Sequence, residues 1–283
     1  MKHSYQAFKF SRHILGSTVF LLVLSTTTFA TRQEHVVSSW QPINYDVTLT
    51  LNEQLSEITR ARVKISVQVL KDRLDAIDLD FGELTIDSVK LGDRDAVFKR
   101  TPGLLNVQLP PNTKIDDRFL ITIEYHGRPK DGLVLANDKD GKASATGDNW
   151  PNRLHHWIPS LDHPSAKATV KFTVTVPARE LVVANGKLDE VVNNSNTTRT
   201  WTYTEGVPIP AYCMVIAVGE YLEFKPSTPA ITPLSYYVSH SDTSFTLPGF
   251  APAAPSLKFF SDTVAPYPYE KLALIVGATR FGG

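Results

Sequence analysis

The sequence predicts an all-β domain, an antiparallel sandwich or saddle, and three observations carry the prediction. Apolar and polar residues alternate with a period of two in four segments, the spacing of a strand with one buried face. Gly, Pro and Asn punctuate the segments, and no helical pattern comes between them, which favours antiparallel neighbours over helix-connected parallel ones. Composition agrees: 42% hydrophobic and 20% charged residues describe an ordinary globular chain and exclude collagen-like, mucin-like and disordered ones.

The first thirty residues stand apart from this pattern. Lys2, Lys9 and Arg12 give a positive start, Ile14 to Leu24 is apolar, and Ser25 to Ala30 is small and polar. The order resembles a secretory signal cleaved after Ala30, with Thr28 and Ala30 as the small residues a peptidase reads. An apolar run of eleven residues is too short for a bilayer that needs about 20, so no stable membrane anchor is expected. Export to the periplasm or the medium is the expectation. Removing residues 1–30 takes away three basic residues and leaves 26 against 29 acidic ones, a net charge of −3. That balance speaks against nucleic acid as a partner, because phosphate neutralisation calls for a basic surplus. The lone Cys213 cannot form an internal disulfide and reads as a small buried hydrophobe.

Tyr45, Val47, Leu49 and Leu51 alternate with Asp46, Thr48 and Thr50 and predict the first strand. Ala61, Val63, Ile65, Val67 and Val69 predict the second, and the shorter runs Ile77 to Phe81 and Leu104 to Leu109 add two more. Phe119, Ile121, Ile123 and Tyr125 repeat the alternation, as do Val170, Phe172, Val174 and Val176. Leu181 to Ala184 and Arg199 to Tyr203 fit further strands, and Asn185-Gly186 is the dipeptide of a tight hairpin. Gly219 to Phe224 ends one strand and Leu234 to Val238 closes the series, so the β domain is expected over residues 31–240. Beyond it, Thr246 to Pro255 suits a linker or helix start. Leu257, Phe260 and Val264 have helical spacing before Pro266, and Leu272 to Val276 reads as a buried strand. Residues 241–283 are expected to open a second, truncated domain.

The chain shows no Gly-rich phosphate loop, no Gly-x-Ser-x-Gly elbow and no His-Glu-x-x-His, the helical pattern that sets two imidazoles beside a carboxylate base. Its densest polar cluster is Asp148-Asn149-Trp150-Pro151-Asn152-Arg153-Leu154-His155-His156-Trp157, followed by Asp162 and His163. In extended chain His155 and His156 would point to opposite faces, so a metal site is not expected there. Asp162, between Pro159 and Pro164, suits a turn held by side-chain to backbone hydrogen bonds. Lys167 is either its buried partner or a solvated strand residue. Trp40, Trp150, Trp157 and Trp201 suit core or interdomain packing. Asn193-Asn194-Ser195 and Asn196-Thr197-Thr198 match glycosylation acceptors, a short pattern that carries no mechanism.

Four stretches fall in one order that is not generic: Pro159 to Ala168, Val183-Ala184-Asn185-Gly186, Pro208 to Tyr212 leading to Val218-Gly219-Glu220-Tyr221, and Pro266 to Leu272. They resemble the Pro-x-x-Asp-x-Pro-x-x-Lys-Ala segment, the hairpin, the Pro-x-x-Tyr…Val-Gly-Asp/Glu strand and the Tyr-Pro-x-x-Lys turn of aminopeptidase N-type zinc aminopeptidases, a gluzincin family. Tyr45 to Leu49 is similar to that family's first strand. The resemblance implies a saddle-like N-terminal domain followed by the first strand-helix piece of a thermolysin-like domain. It also implies that Gly282 and Gly283 open the family's Gly-x-Met-Glu-Asn motif, whose Glu holds the substrate's free amine.

By the same resemblance the parent enzymes use zinc, but the ligands are absent from this chain, so no catalytic or metal residue is assigned. The missing catalytic domain would be its partner, and a peptide with a free N-terminus the substrate of the full enzyme. A Gln or Glu of the family's N-terminal domain also reaches that amine. Counting back from Pro159 puts Trp150 at its place, so Asp148 and then Asn149 are the nearest candidates, against a plain Asp-Asn turn. A carboxylate pairs with an ammonium better than an amide does, which ranks Asp148 first. The expected function is thus the non-zinc-binding part of an exported aminopeptidase, inactive by itself. The alternative is a stand-alone β module that binds peptide or a partner protein.

Overall fold

A computed structural model describes residues 36–195, 197–227 and 230–278. Ala30 with the signal-like segment, the glycosylation acceptor at Asn196, and Gly282 and Gly283 lie outside the described residues. In chain order the strands of the first half are β1 (Trp40–Leu51), β2 (Ile58–Val69), β3 (Ala76–Asp80), β4 (Thr85–Leu91), β5 (Arg94–Asp95), β6 (Phe98–Thr101), β7 (Leu104–Gln108) and β8 (Arg118–Gly127). Next come β9 (Leu133–Asn137), β10 (Ala143–Gly147), β11 (Lys167–Pro177), β12 (Leu181–Ala184), β13 (Lys187–Asn193), β14 (Thr198–Pro210) and β15 (Ile216–Gly219). The last are β16 (Leu222–Phe224), β17 (Leu234–Val238), the helices α1 (Thr243–Phe250) and α2 (Ala253–Thr263), and β18 (Leu272–Ile275). The all-β expectation holds.

An eight-stranded sheet runs in the order β13-β14-β11-β1-β2-β8-β4-β5. Its middle strands carry the period-two pattern, and Val47, Leu49, Val63, Ile65, Ile123, Phe172 and Val174 are all fully buried. Burying a Val, Leu, Ile or Phe side chain is worth about 1.5–3 kcal/mol, so these alternating faces outweigh any local preference in their strands. A second sheet, β12-β15-β10-β9, and a third, β3-β7-β6, add residues to the same apolar core: Val182, Val218, Ala145, Leu79 and Val107. Trp157 stacks on Phe172 at a centroid distance of 6.3 Å and an interplanar angle of 13°. Trp40 and Trp157 belong to the core, as expected, whereas Trp150 stands 63% exposed with its edge against Tyr212.

Three local expectations are corrected. The sheets are not purely antiparallel, because β1 pairs with β11 and β17 with β18 in parallel. Both pairs are far apart in sequence, and long crossovers permit parallel pairing where tight turns do not. The dipeptide Asn185-Gly186 does not close a hairpin, since β12 pairs with β15 and β13 with β14. The turn instead moves the chain from one sheet to another, with Gly186 at φ +77°. The segment read as one strand from Gly219 to Phe224 breaks at Glu220 and Tyr221, and β16 joins β17 and β18 in a sheet of its own. Of the two readings of Thr246 to Pro255, linker or helix start, the helical one forms: α1 runs Thr243–Phe250 and carries Pro248 in its last turn.

Candidate functional site

β10 delivers the polar cluster. It pairs with β9 on one side and β15 on the other, so its end at Gly147 is fixed by two neighbours. A Cβ at Gly147 would lie 3.0 Å from the Val215 side chain, which is why the strand can leave so close to the residues before β15. The Asp148 N–H then donates to Gly132 O at 2.7 Å, and Arg153 N–H to Asn149 O at 2.8 Å, closing a compact turn. The Trp150–Pro151 peptide in that turn is cis.

Within the turn the two candidate residues have different surroundings. Asn149 is 2% exposed, and its amide is fully committed: Nδ2 donates to Met214 O at 2.7 Å while Oδ1 accepts from Trp157 Nε1 at 2.8 Å. Its geometry is that of a core polar residue. Asp148 accepts from Arg153 Nη2 at 2.5 Å through Oδ1, and the same guanidinium reaches Asp131 and donates from Nε to Trp150 O. The other oxygen, Asp148 Oδ2, is buried with no hydrogen-bond partner. Of the two, Asp148 alone keeps an acceptor unspent. Arg153 carried no expected role in the sequence, although its spacing of five residues from Asp148 was there to be read.

The end of β18 arrives beside this turn. Gly277 packs so tightly against Thr146 of β10 that a Cβ there would sit 2.7 Å from Thr146 Cγ2. Val276 N–H donates to Tyr237 O at 3.0 Å, which fixes the strand end from the other side. The chain therefore leaves β18 two residues from Asp148.

The histidines are arranged differently from the extended chain expected of them. They sit in a 3-10 turn, Leu154–His156, with the rings of His155 and His156 at 4.1 Å. His155 is held by Asp162, whose Oδ2 accepts from its backbone N–H at 3.1 Å and lies 2.7 Å from its Nδ1. Asp162 N–H in turn donates to Asp80 Oδ2 at 3.0 Å. The turn-fixing role read for Asp162 matches these bonds, and Lys167 is exposed rather than its partner. His163 Nδ1 lies 2.7 Å from Ser165 Oγ. Among the described residues no three His, Cys, Asp or Glu side chains converge as metal ligands. Zinc prefers four tetrahedral ligands, or three and a water, and the residues described do not fit it. Cys213 is half-buried, and burial pushes its thiol pKa up, the reverse of an activated nucleophile.

The β domain is thus a large sheet whose middle strand pairs in parallel with a distant one and a smaller sheet on the same core, followed by a strand-helix-strand tail. The chain belongs to the Peptidase M1 N-terminal domain family, which it matches over residues 41–213. It is 27% identical over 184 residues to leucine aminopeptidase 2 of Vanderwaltozyma polyspora, covering 61% of this chain and 28% of that protein. It is 25% identical over 236 residues to leukotriene A-4 hydrolase of Xenopus laevis, covering 78% of this chain and 38% of that one. This chain thus spans well under half the length of either relative. An M1 zinc metallopeptidase from Deinococcus radiodurans shares the fold, with a TM-score of 0.74 at 23% identity over 86% of this chain and 57% of that one. A variant of that peptidase has been solved bound to the peptide Tyr-Ser-Ala.

Proposed function

We propose that this chain is the non-zinc-binding β portion of an exported zinc aminopeptidase and that Asp148 helps to hold the free amine of a peptide substrate. One observation supports the reading above others: the exit of β18 abuts Thr146, two residues from an Asp148 carboxylate that keeps a buried oxygen without a hydrogen bond. The family resemblance ties the Asp148 turn to the substrate amine, and in the sequence the segment after β18 runs on to Gly282 and Gly283, which the resemblance ties to the same amine. Asn149 has no part in it, since its amide is used inside the protein. The reaction itself is assigned to no residue of this chain. Zinc and its ligands belong to the parent enzymes, and nothing described here would bind it. Export is part of the proposal and is supported by the positive start and short apolar run of residues 1–30.

The test joins residues 31–283 to the zinc-binding domain of an M1 peptidase and measures hydrolysis of an amino-acid anilide. Asp148→Asn keeps the size of the side chain and a hydrogen-bonding oxygen for Arg153 but removes the charge. A charge-assisted hydrogen bond is worth about 1.5–3 kcal/mol, so KM should rise about tenfold to a hundredfold. An unchanged KM in a folded variant sinks the role given to Asp148.

A further inference from the structure

Three titratable side chains that the proposed function does not use meet where the tail of the chain returns to the β domain. Lys271 lies in the turn before β18, and its Nζ donates to the carbonyl oxygens of Ala184 and Gly186 and stands 5.0 Å from the centroid of the Tyr203 ring. Those carbonyls flank the turn that carries the chain from β12 to β13. The neighbouring Glu270 accepts the N–H of Gly206 through Oε1 at 3.0 Å. Gly206 belongs to β14, at the bulge where its pairing with β11 slips between Ala168 and Val170. Beside it Glu205, 2% exposed, accepts Val207 N–H through Oε1 at 2.9 Å, so the Glu205 and Glu270 carboxyls sit on adjacent backbone amides and act on each other.

Two carboxylates held on adjacent amides repel each other unless one carries a proton. Glu270 Oε2 is buried, and no N–H or O–H donor of the described residues is aimed at it, so a protonated Glu205 is the donor this arrangement calls for. We propose that Glu205, Glu270 and Lys271 form a clasp that fastens the turn before β18 to β14 and to the β12–β13 turn, and that loss of one proton from the carboxyl pair releases it. This goes beyond the aminopeptidase reading, and it holds whether or not the chain takes part in peptide hydrolysis.

The electrostatics give the direction of the release. Burial, reinforced by the neighbouring Glu270, raises the Glu205 pKa from 4.5 to about 7. Burial also works on Glu270, but the Gly206 N–H, the Glu205 hydrogen bond and the Lys271 charge hold it below its ordinary value. The single shared proton therefore resides on Glu205. Burial pushes Lys271 down to about 8 against the pull of both carboxylates. The other ionisable groups nearby are Tyr203 on β14, Tyr267 in the turn, Tyr237 on β17 and Glu223 on β16. Burial raises all three tyrosines, Tyr237 to about 12, so they stay neutral throughout the range that matters. Glu223 acts on Tyr203 and Tyr237 rather than on the clasp.

In an open state Glu205 would give up its proton near 4.5, and in the closed state it keeps it to about 7. The contribution of Glu205 is therefore full below pH 4.5 and is lost as pH rises to about 7, when the proton passes to water and two carboxylates face each other, whereas the contribution of Glu270, whose pKa is lowered, fades only on further acidification. Lys271 acts in the opposite sense only above about pH 8, where the closed state has already lost its charge. Because Gly277 lies against Thr146, a released turn would also free the segment that leaves β18.

The test is the hydrogen-exchange protection factor of the Gly206 amide, an exposed residue whose N–H is covered by Glu270, and of Leu272, the first residue of β18. In the wild-type chain both should fall about a hundredfold between about pH 5 and pH 7, tenfold per pH unit inside the window. In Glu205→Gln the amide donates to Glu270 at every pH, so the factor should change less than about threefold. Glu270→Gln should flatten the profile equally, by removing the second charge. Carbon NMR of the unmutated chain supplies a measurement that no variant can spoil: the Glu205 carboxyl should titrate near 7. A Glu205 midpoint in the ordinary carboxylate range, or a wild-type pH profile retained by a folded Glu205→Gln or Glu270→Gln, overturns the clasp.

Discussion

Gly186 shows how one residue can be fixed by two independent constraints. Its φ of +77° is a backbone region that residues with a Cβ avoid at a cost of about 1–2 kcal/mol. A Cβ would also lie 2.0 Å from Thr204 O, which is backbone and cannot step aside. Asn185 locks the same turn, with Nδ2 donating to Cys213 O at 2.9 Å and Oδ1 accepting Val215 N–H at 2.7 Å. We expect Gly186→Ala to lower unfolding stability by at least about 2 kcal/mol, read as a lower urea midpoint at unchanged slope. A midpoint within error of wild type would show that the turn relaxes freely. The sequence marked Asn185-Gly186 as special but assigned it to a hairpin. The turn signal was local and legible. Which strands it joins depends on partners that lie elsewhere in the chain.

At the scale of elements, strand identity was largely readable, because alternation reports directly which face is buried. Phe172 illustrates it: it alternates with wet neighbours along β11, is fully buried, and packs flat on Trp157. Phe172→Ala should therefore cost about 3–5 kcal/mol, whereas Leu188→Ala on the exposed edge strand β13 should stay within about 0.5 kcal/mol. Chemical denaturation of both variants measures the contrast, and equal losses would contradict the burial pattern. What alternation did not disclose is pairing. β1 finds β11 in parallel across more than a hundred residues of sequence, and β16 leaves the strand it follows to join β17. Local spacing carries no record of such long-range registers.

At the scale of the whole molecule, the described residues form two apolar clusters of unequal size. The large one gathers three sheets around β1, β2 and β11. The small one, centred on Leu234, Tyr236 and Ala254, lies where β17 meets α2 and has half-buried neighbours such as Phe250 and Leu274. The family match covers residues of the first, and the strand-helix-strand tail holds the second. Export concerns the entire chain. Expressed in a bacterium with a secretion pathway, the exported product should begin at Thr31, as N-terminal sequencing would read it. A mature protein that retains residues 1–30 would contradict the signal reading.

The sequence by itself determined the β class, most strand positions, the family and the absence of a His-Glu-x-x-His segment, because periodicity and short motifs are local properties of the chain. With the family resemblance it also narrowed the amine-binding candidates to Asp148 and then Asn149, one position apart and ranked only by charge. Tertiary structure separated them: Met214 O and Trp157 Nε1 consume the Asn149 amide, while Arg153 leaves one oxygen of Asp148 without a hydrogen bond. It also brought Glu205 to Glu270 and Lys271, residues some sixty-five positions apart whose proximity no spacing rule anticipates. The physical reason is common to both cases. A side chain's role depends on which groups desolvate and bond it, and those groups arrive only when distant strands pack.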